Sequence, residues 1–319
     1  MTPPSTTWLV ALLYAGLRLG GRLPLSLLHA IGAGLGRLLW RSNGRTRRII
    51  ERNLSLVMTQ ESAETRHARG REAAVETGKA FCEIAGIWGR KPAEALELVR
   101  ETRGEALFHE AIAAGRGLIV AAPHLGCWEL LNYWLASRTP MSILYRPPRK
   151  AWVEPLLRKA RGALPVEQVR AEGAGVRTLY KRLSAGGVVG ILPDQQPRQG
   201  EGEYAPFFGV PAPTMVLLPR LAQRTGACVL FAFLERLPRG AGFRLHFLPA
   251  PPKLADGDLA AACAALNRGV EDCVRLAFPQ YQWSYKRWSS AAAGPREGTA
   301  KTPRGESGGN GPADTHPAG

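Results

Sequence analysis

The stretch "APHLGCWELL", Ala122 to Leu131, places His124 and Glu129 five positions apart, directly after the apolar run "GLIVAA". Histidine is suited to take and return a proton near neutral pH. A carboxylate on one ring nitrogen fixes the tautomer, leaves the other nitrogen free to accept a proton from an alcohol, and stabilises the imidazolium that forms. The pair could therefore make a hydroxyl nucleophilic. Two readings of the spacing stand side by side. If His124 lies just outside a helix, its ring can fold back over the first turn towards Glu129. In the plainer reading His124 is a loop histidine and Glu129 an acidic residue that favours the N-terminal end of the helix macrodipole.

The elements around the pair follow from hydrophobic pattern. "GLIVAAPH" reads as a short buried strand and "CWELLNYWLA" as a helix. The alternation continues with the strand "SILYRP", the helix "WVEPLLRKARGA", the strand "VEQVRA", the helix "GVRTLYKRLSAG", the strand "GVVGILPD" and the helix "TMVLLPRLAQRTG". Strands and helices at this spacing predict an α/β fold with a mostly parallel sheet flanked by helices. "ACVLFAFLER" and "FRLHFLPA", joined by "LPRGAG", read as an antiparallel hairpin, which makes the sheet mixed. "ESAETRHARGREAAVETGKAFCEIAGIW" reads as a long helix capped at Ser62 or Thr65, and "DLAAACAALNRGVEDCVRLAF" as the closing helix. In such a sheet ligands gather beyond the carboxyl ends of the strands, where His124 falls.

The chain of 319 residues carries 42 Lys and Arg against 26 Asp and Glu, a net charge of +16, which suits a polyanionic partner. Residues 1–50 hold seven arginines and no acidic residue, interleaved with "WLVALLYAGL" and "LPLSLLHAIGAGLGRLLW". That mixture predicts a membrane-anchoring helical segment over 1–50. The first apolar run ends at Arg18, short of the roughly 20 residues a lone span needs, so an interfacial helix and one tilted span are both open. "RSNGRTRR" would hold the following domain, 51–290, on the cytoplasmic side. Residues 291–319 are rich in Gly, Pro and polar side chains and predict a disordered tail. The five cysteines form no CxxC pair and no zinc spacing, so neither a disulfide framework nor a metal site is expected. No helix-turn-helix, zinc or RNP motif points to nucleic acid.

The H-x4-E stretch after an apolar strand resembles the signature of the glycerolipid acyltransferase superfamily, and more specifically that of the late acyltransferases of lipid A biosynthesis, the lauroyl and myristoyl transferases. "ILYRPPRK", "VVGILPDQQP", "APFFGVPAPT" and "FPQYQWSYKRW" are similar to four further blocks of that family, in order, from about Arg45 to Trp288. Cys127 stands where the family often has a polar residue, and Tyr285, Lys286 and Arg287 replace the usual end of the closing block. The resemblance implies an inner-membrane acyltransferase that moves a fatty acyl group from acyl carrier protein to a hydroxyl of a phosphorylated glycolipid, a Kdo-bearing lipid A precursor. His124 would be the general base and Glu129 would orient it. It implies no cofactor beyond the carrier-protein thioester. Related acceptors such as a lysophospholipid, or a basic membrane-binding protein without catalysis, are the competing readings.

Arginines would serve the oxyanion and the acceptor's phosphates. Arg146 and Arg170 fall in loops at the catalytic edge; the resemblance supports an essential arginine near Arg170, with Arg177 the alternative, and a solvated surface charge is the plain reading of each. Asp194 ends the strand "GVVGILP" and would point to the same edge as His124 if their strands are parallel neighbours, either as a site residue or as a turn cap. Phe207, Phe208 and Gly209 suggest a rigid apolar wall for an acyl chain, or core packing. "YQWSYKRW" mixes rings and cations as a membrane-interface belt does.

Overall fold

A computed structural model describes residues 4–145, 154, 166–170, 173–198 and 200–288. The helix expected at "WVEPLLRKARGA", the tail and Arg146 lie outside the described residues, apart from Glu154. Three helices open the chain: α1 (Pro4–Gly21), α2 (Leu25–Arg41) and α3 (Arg45–Val57). They pack on the long α4 (Ala63–Trp88), whose first turn is capped by the Ser62 hydroxyl accepting from the Thr65 amide at 3.0 Å. The expected boundary at residue 50 thus falls inside a helix.

Helix α2 buries Leu25, Leu28, His29, Gly32, Ala33, Gly36 and Trp40, one face at a spacing of three and four, against α4. The backbones meet at glycines. A Cβ on Gly78 would stand 2.1 Å from the Gly32 carbonyl, and one on Gly36 2.3 Å from that of Ala74. Among the described residues no single helix is long and apolar enough to cross a membrane; α1 and α2 meet that measure only together, with a bend of 116° between them.

After α5 (Pro92–Leu96), a seven-stranded sheet has the order β1-β9-β8-β2-β5-β3-β4. Its strands are β1 (Val99–Arg103), β2 (Leu118–Ala121), β3 (Met141–Tyr145), β4 (Val166–Arg170), β5 (Val188–Ile191), β8 (Cys228–Arg236) and β9 (Phe243–Pro249). Every pairing is parallel except the β8–β9 hairpin. Helices α6 (Glu105–Ala113), α7 (Trp128–Ala136), α8 (Gly173–Ser184), α9 (Leu217–Thr225) and α10 (Leu259–Leu276) complete the described elements, with the separate hairpin β6 (Gly202–Phe207) and β7 (Val210–Met215).

The mixed, mostly parallel α/β sheet is as the alternation predicts. The central strands β2 and β5 are buried at every position, the mark of a sheet covered on both faces. The chain runs from β2 past β5 to β3 and on to the edge strand β4, returns to β5 and then crosses to β8 on the other side of β2, which opens a crevice at the carboxyl ends of β2 and β5.

Candidate active site

Both strands beside the crevice end alike. Ala121 pairs with Ile191, and each strand then continues through one residue to a proline, Pro123 or Pro193, whose missing N–H stops the ladder. The next residues are His124 and Asp194. The parallel register therefore brings together two side chains 70 positions apart in sequence.

The Asp194 carboxylate clasps the histidine twice. Oδ2 accepts from the His124 backbone N–H at 2.9 Å, and Oδ1 accepts from Nδ1 of the ring at 2.8 Å. On the other side of the ring the Gln195 amide nitrogen donates to Nε2 at 3.1 Å. Nδ1 thus carries the proton and Nε2 holds the lone pair, the arrangement a general base needs. Trp128 lies beside the ring, with 5.3 Å between centroids.

Asp194 is almost fully enclosed. Burial raises its affinity for a proton, but the electropositive N–H edge of the adjacent His124 ring and the hydrogen bonds from the ring and the backbone outweigh this and hold the carboxyl below its ordinary value. Tyr281 feels the converse: burial, and then the Asp194 carboxylate beside it, push its phenol well above the usual range. Asp194 is therefore an anion and Tyr281 a neutral phenol at neutral pH.

Glu129 was expected on the ring of His124. Instead the ring nitrogens are taken by Asp194 and Gln195, and the Glu129 carboxylate accepts from the Trp88 indole N–H at 3.1 Å. The reason is topological: Glu129 sits in the first turn of α7 and turns towards α4, whereas Asp194 leaves the neighbouring strand at the level of the histidine. Glu129 still borders the same cavity, of about 230 Å3, with His124, Trp128, Asn132, Leu192 and Gln195. Ile143, Leu144, Tyr145 and Met215 give it an apolar wall.

The loop carrying His124 is held from below. Gly126 has φ +59°, and a Cβ there would stand 1.8 Å from the Leu234 carbonyl, so glycine is required. The Cys127 N–H donates to the Leu234 carbonyl, the Gly126 N–H to that of Gln280, and the Gln282 N–H to that of His124, at 2.9, 3.2 and 3.0 Å. The closing block is thus a support for this loop. Its Trp283, Arg287 and Trp288 are buried, so it is core and not the interfacial belt its composition suggests. Arg287 is spent on the Pro213 carbonyl, Thr214 and Asn267 beneath the Phe207 ring.

Several other expectations shift. Phe207 is fully buried against Trp288, and Phe208 lies between Phe278 and Trp283. With Gly209, Phe208 makes the two-residue turn between β6 and β7, both at positive φ. None of the three borders the His124 cavity, and the apolar wall falls to Leu144, Met215 and their neighbours. Arg170 is an exposed end of β4 paired with Glu154 at 3.4 Å, and Arg177 is exposed on α8; neither lines the cavity. Cys127 is no nucleophile, since burial, reinforced by Glu83, raises its thiol well above the ordinary value. Among the described residues no group of three or more His, Cys, Asp or Glu is placed to hold a metal ion.

Sequence reasoning did not single out Trp88, Trp128, Asn132 or Gln195. Asn132 had a signal: it is the one polar residue after Glu129 in the apolar α7 and lies three positions from it, on the same helical face. The clasp had one too, in the matched endings "APH" and "LPD" of two buried strands.

Comparison with known proteins gives a consistent result. A family model described as "Bacterial lipid A biosynthesis acyltransferase" matches residues 3–290. The chain is similar to the lipid A biosynthesis lauroyltransferase of Escherichia coli K12, 27% identical over 293 residues, covering 90% of this chain and 93% of the relative. It is 26% identical over 274 residues to the lipid A biosynthesis palmitoleoyltransferase of the same organism, 86% of this chain and 88% of the relative. A phosphatidylinositol mannoside acyltransferase of Mycobacterium tuberculosis is 29% identical over 162 residues, 49% of each chain.

Proposed function

Because the chain belongs to the bacterial lipid A biosynthesis acyltransferase family, we propose that it transfers a fatty acyl group from acyl carrier protein to a hydroxyl of a Kdo-bearing lipid A precursor, with His124 as general base. The single observation that carries the mechanism is the fixed tautomer: Nδ1 bound to Asp194 and Nε2 facing a cavity with an apolar wall.

The acceptor hydroxyl displaces the Gln195 amide and gives its proton to Nε2 as its oxygen attacks the thioester carbonyl carbon. The carbonyl becomes a tetrahedral oxyanion within reach of neutral amide donors on the cavity wall, for which Asn132 and the displaced Gln195 are the candidates. Collapse re-forms the carbonyl and breaks the carbon–sulfur bond, and the thiolate takes the proton back from the imidazolium. Asp194 orients the ring and bears the transient positive charge; Glu129, across the same cavity, adds a second negative charge in its favour. Arg146, directly after β3, remains the proposed contact for acceptor phosphates, while Arg170 and Arg177 are proposed only for its outer reach. No metal, nucleotide or redox cofactor enters this scheme.

A membrane location is supported by where the apolar surface lies. Of the 11 exposed large hydrophobic side chains among the described residues, eight (Leu12, Leu13, Leu19, Leu27, Ile31, Leu35, Leu38 and Leu39) are on α1 and α2. With the bend of 116°, this favours a hairpin lying in the cytoplasmic face of the inner membrane, with residues 51–290 as the catalytic part above it. The mycobacterial relative favours one second reading, the same chemistry on a glycosylated phospholipid.

The test offers purified protein a mixed pool of acyl carrier protein thioesters with Kdo-bearing lipid A precursor and phosphatidylinositol mannoside side by side. Acylation of the lipid A precursor that falls about 10²–10⁴-fold in His124→Ala is expected. Transfer to the mannoside alone would select the second reading, and activity surviving in His124→Ala would remove the mechanism.

A further inference from the structure

A second cavity, of about 750 Å3, lies between α2 and α4 and shares no lining residue with that of His124. Its walls carry Arg37 and Arg41, one turn apart on α2, and His67 and Arg71, one turn apart on α4, around Trp40. The Trp40 ring is fixed from behind by the Arg47 guanidinium, 4.7 Å from its centroid.

Two carboxylates also line the space, but both are engaged by cations outside it. Glu72 accepts from Arg69 at 2.9 Å, and Glu76 from Arg236 at 2.7 Å. Among the described residues Arg37, Arg41 and Arg71 form no ion pair. Three arginines without an ion pair thus line one concavity, and their planar guanidinium forks suit phosphate oxygens in pairs.

The same helix supplies a second kind of surface. Leu35, Leu38 and Leu39, at 40, 63 and 38% exposure, stand beside Arg37 and Arg41 in the last two turns of α2. A soluble phosphate or an acidic protein would engage the arginines and leave these leucines in water. A phospholipid places its phosphate directly at the root of its acyl chains, and so matches both.

We propose that this cavity binds the phosphate headgroup of an anionic phospholipid of the bilayer, with the acyl chains lying along the exposed leucines of α2. The site rests on the reading that the hairpin meets a membrane, and it makes attachment selective for lipid charge and fixed in rotation. An arginine on α4, away from the leucine face, then contributes as much as one on α2.

The experiment is vesicle co-sedimentation of the full chain with phosphatidylcholine alone and with about one-quarter phosphatidylglycerol, for wild type, Arg71→Gln, the pair Arg37→Gln/Arg41→Gln, and Arg18→Gln as a control on the same hairpin outside the cavity. Wild type should gain affinity from phosphatidylglycerol, and each cavity arginine removed should reduce that gain about fivefold, with Arg18→Gln costing clearly less. Equal losses at Arg18 and Arg71 would reduce the effect to diffuse surface charge and overturn the site. Protection of the chain by inorganic phosphate alone, with no gain from charged vesicles, would reassign the cavity to a soluble ion. A raised KM for acyl carrier protein in Arg71→Gln with vesicle binding unchanged would reassign it to an acidic protein. Wild type binding to no vesicle at all would instead remove the membrane reading itself.

Discussion

At Asp194 two effects oppose each other, and the contact with His124 wins over burial: the carboxyl stays ionised because the ring it holds and the hydrogen bonds it accepts repay its removal from water. This makes the residue testable without changing its shape. In Asp194→Asn the amide no longer fixes Nδ1 as the protonated nitrogen, so Nε2 loses its lone pair to the wrong tautomer. Steady-state kinetics should show kcat lowered about 10²–10⁴-fold with KM nearly unchanged. The double variant with His124→Ala should be scarcely worse than either alone, since the two act as a unit. A kcat near wild type would reduce Asp194 to a turn cap. His124 was legible in the sequence because its neighbours in the chain identify it. Its partner was legible only in part: the sequence puts Asp194 at the same edge if the two strands are parallel neighbours, but the H-x4-E resemblance puts Glu129 on the ring, and it is the strand register that brings residue 194 to residue 124.

At the scale of elements, alternation exposed most of the sheet, and the elements it missed have physical reasons. Strand β1, "VRETR", is a polar edge strand with no apolar run to announce it. The hairpin of β6 and β7 carries Pro206, Pro211 and Pro213, which a central strand would not accept; a two-stranded sheet has free edges where the missing N–H groups cost nothing. Helix α9 begins at Leu217, later than its hydrophobic pattern suggests, because Thr214 and Met215 finish β7. On the proposed mechanism, the loop between β2 and α7 is the element that positions the base. Gly126→Ala forces a methyl group into the Leu234 carbonyl at a positive φ, so the loop must shift by about an ångström, enough to cost roughly 10²-fold in kcat. Circular dichroism should stay close to wild type, because the strain is confined to that loop. Full activity in Gly126→Ala would mean that the loop adapts without moving His124.

Across the whole molecule, the net charge of +16 was legible as an appetite for anions, but not the buried network that ties the N-terminal helices to the sheet. Arg236 on β8 donates to both oxygens of Glu83 on α4 and to Glu76, and His29 on α2 donates to Glu83 at 2.6 Å. Burial raises the proton affinity of Glu83, yet Arg236 and His29 hold the carboxyl below its ordinary value. A depressed carboxyl contributes stability that is present above the unfolded value of about 4 and is lost as pH falls through the lower folded one. The melting temperature of wild type should therefore drop on acidification below about pH 4, less steeply in Glu83→Gln. That variant should also be less stable at neutral pH by about 1–3 kcal/mol, because the buried Arg236 guanidinium loses one of its two carboxylates and keeps only Glu76. Identical pH curves for the two proteins would remove Glu83 from the balance. The loop that carries His124 takes its supporting hydrogen bonds from Gln280 and Gln282, the part of the described fold that a ribosome makes last. On the proposed reading, the hairpin of α1 and α2, made earlier than that block, meets the membrane while the nascent protein is still chemically silent, and His124 becomes a competent base only as the closing block arrives.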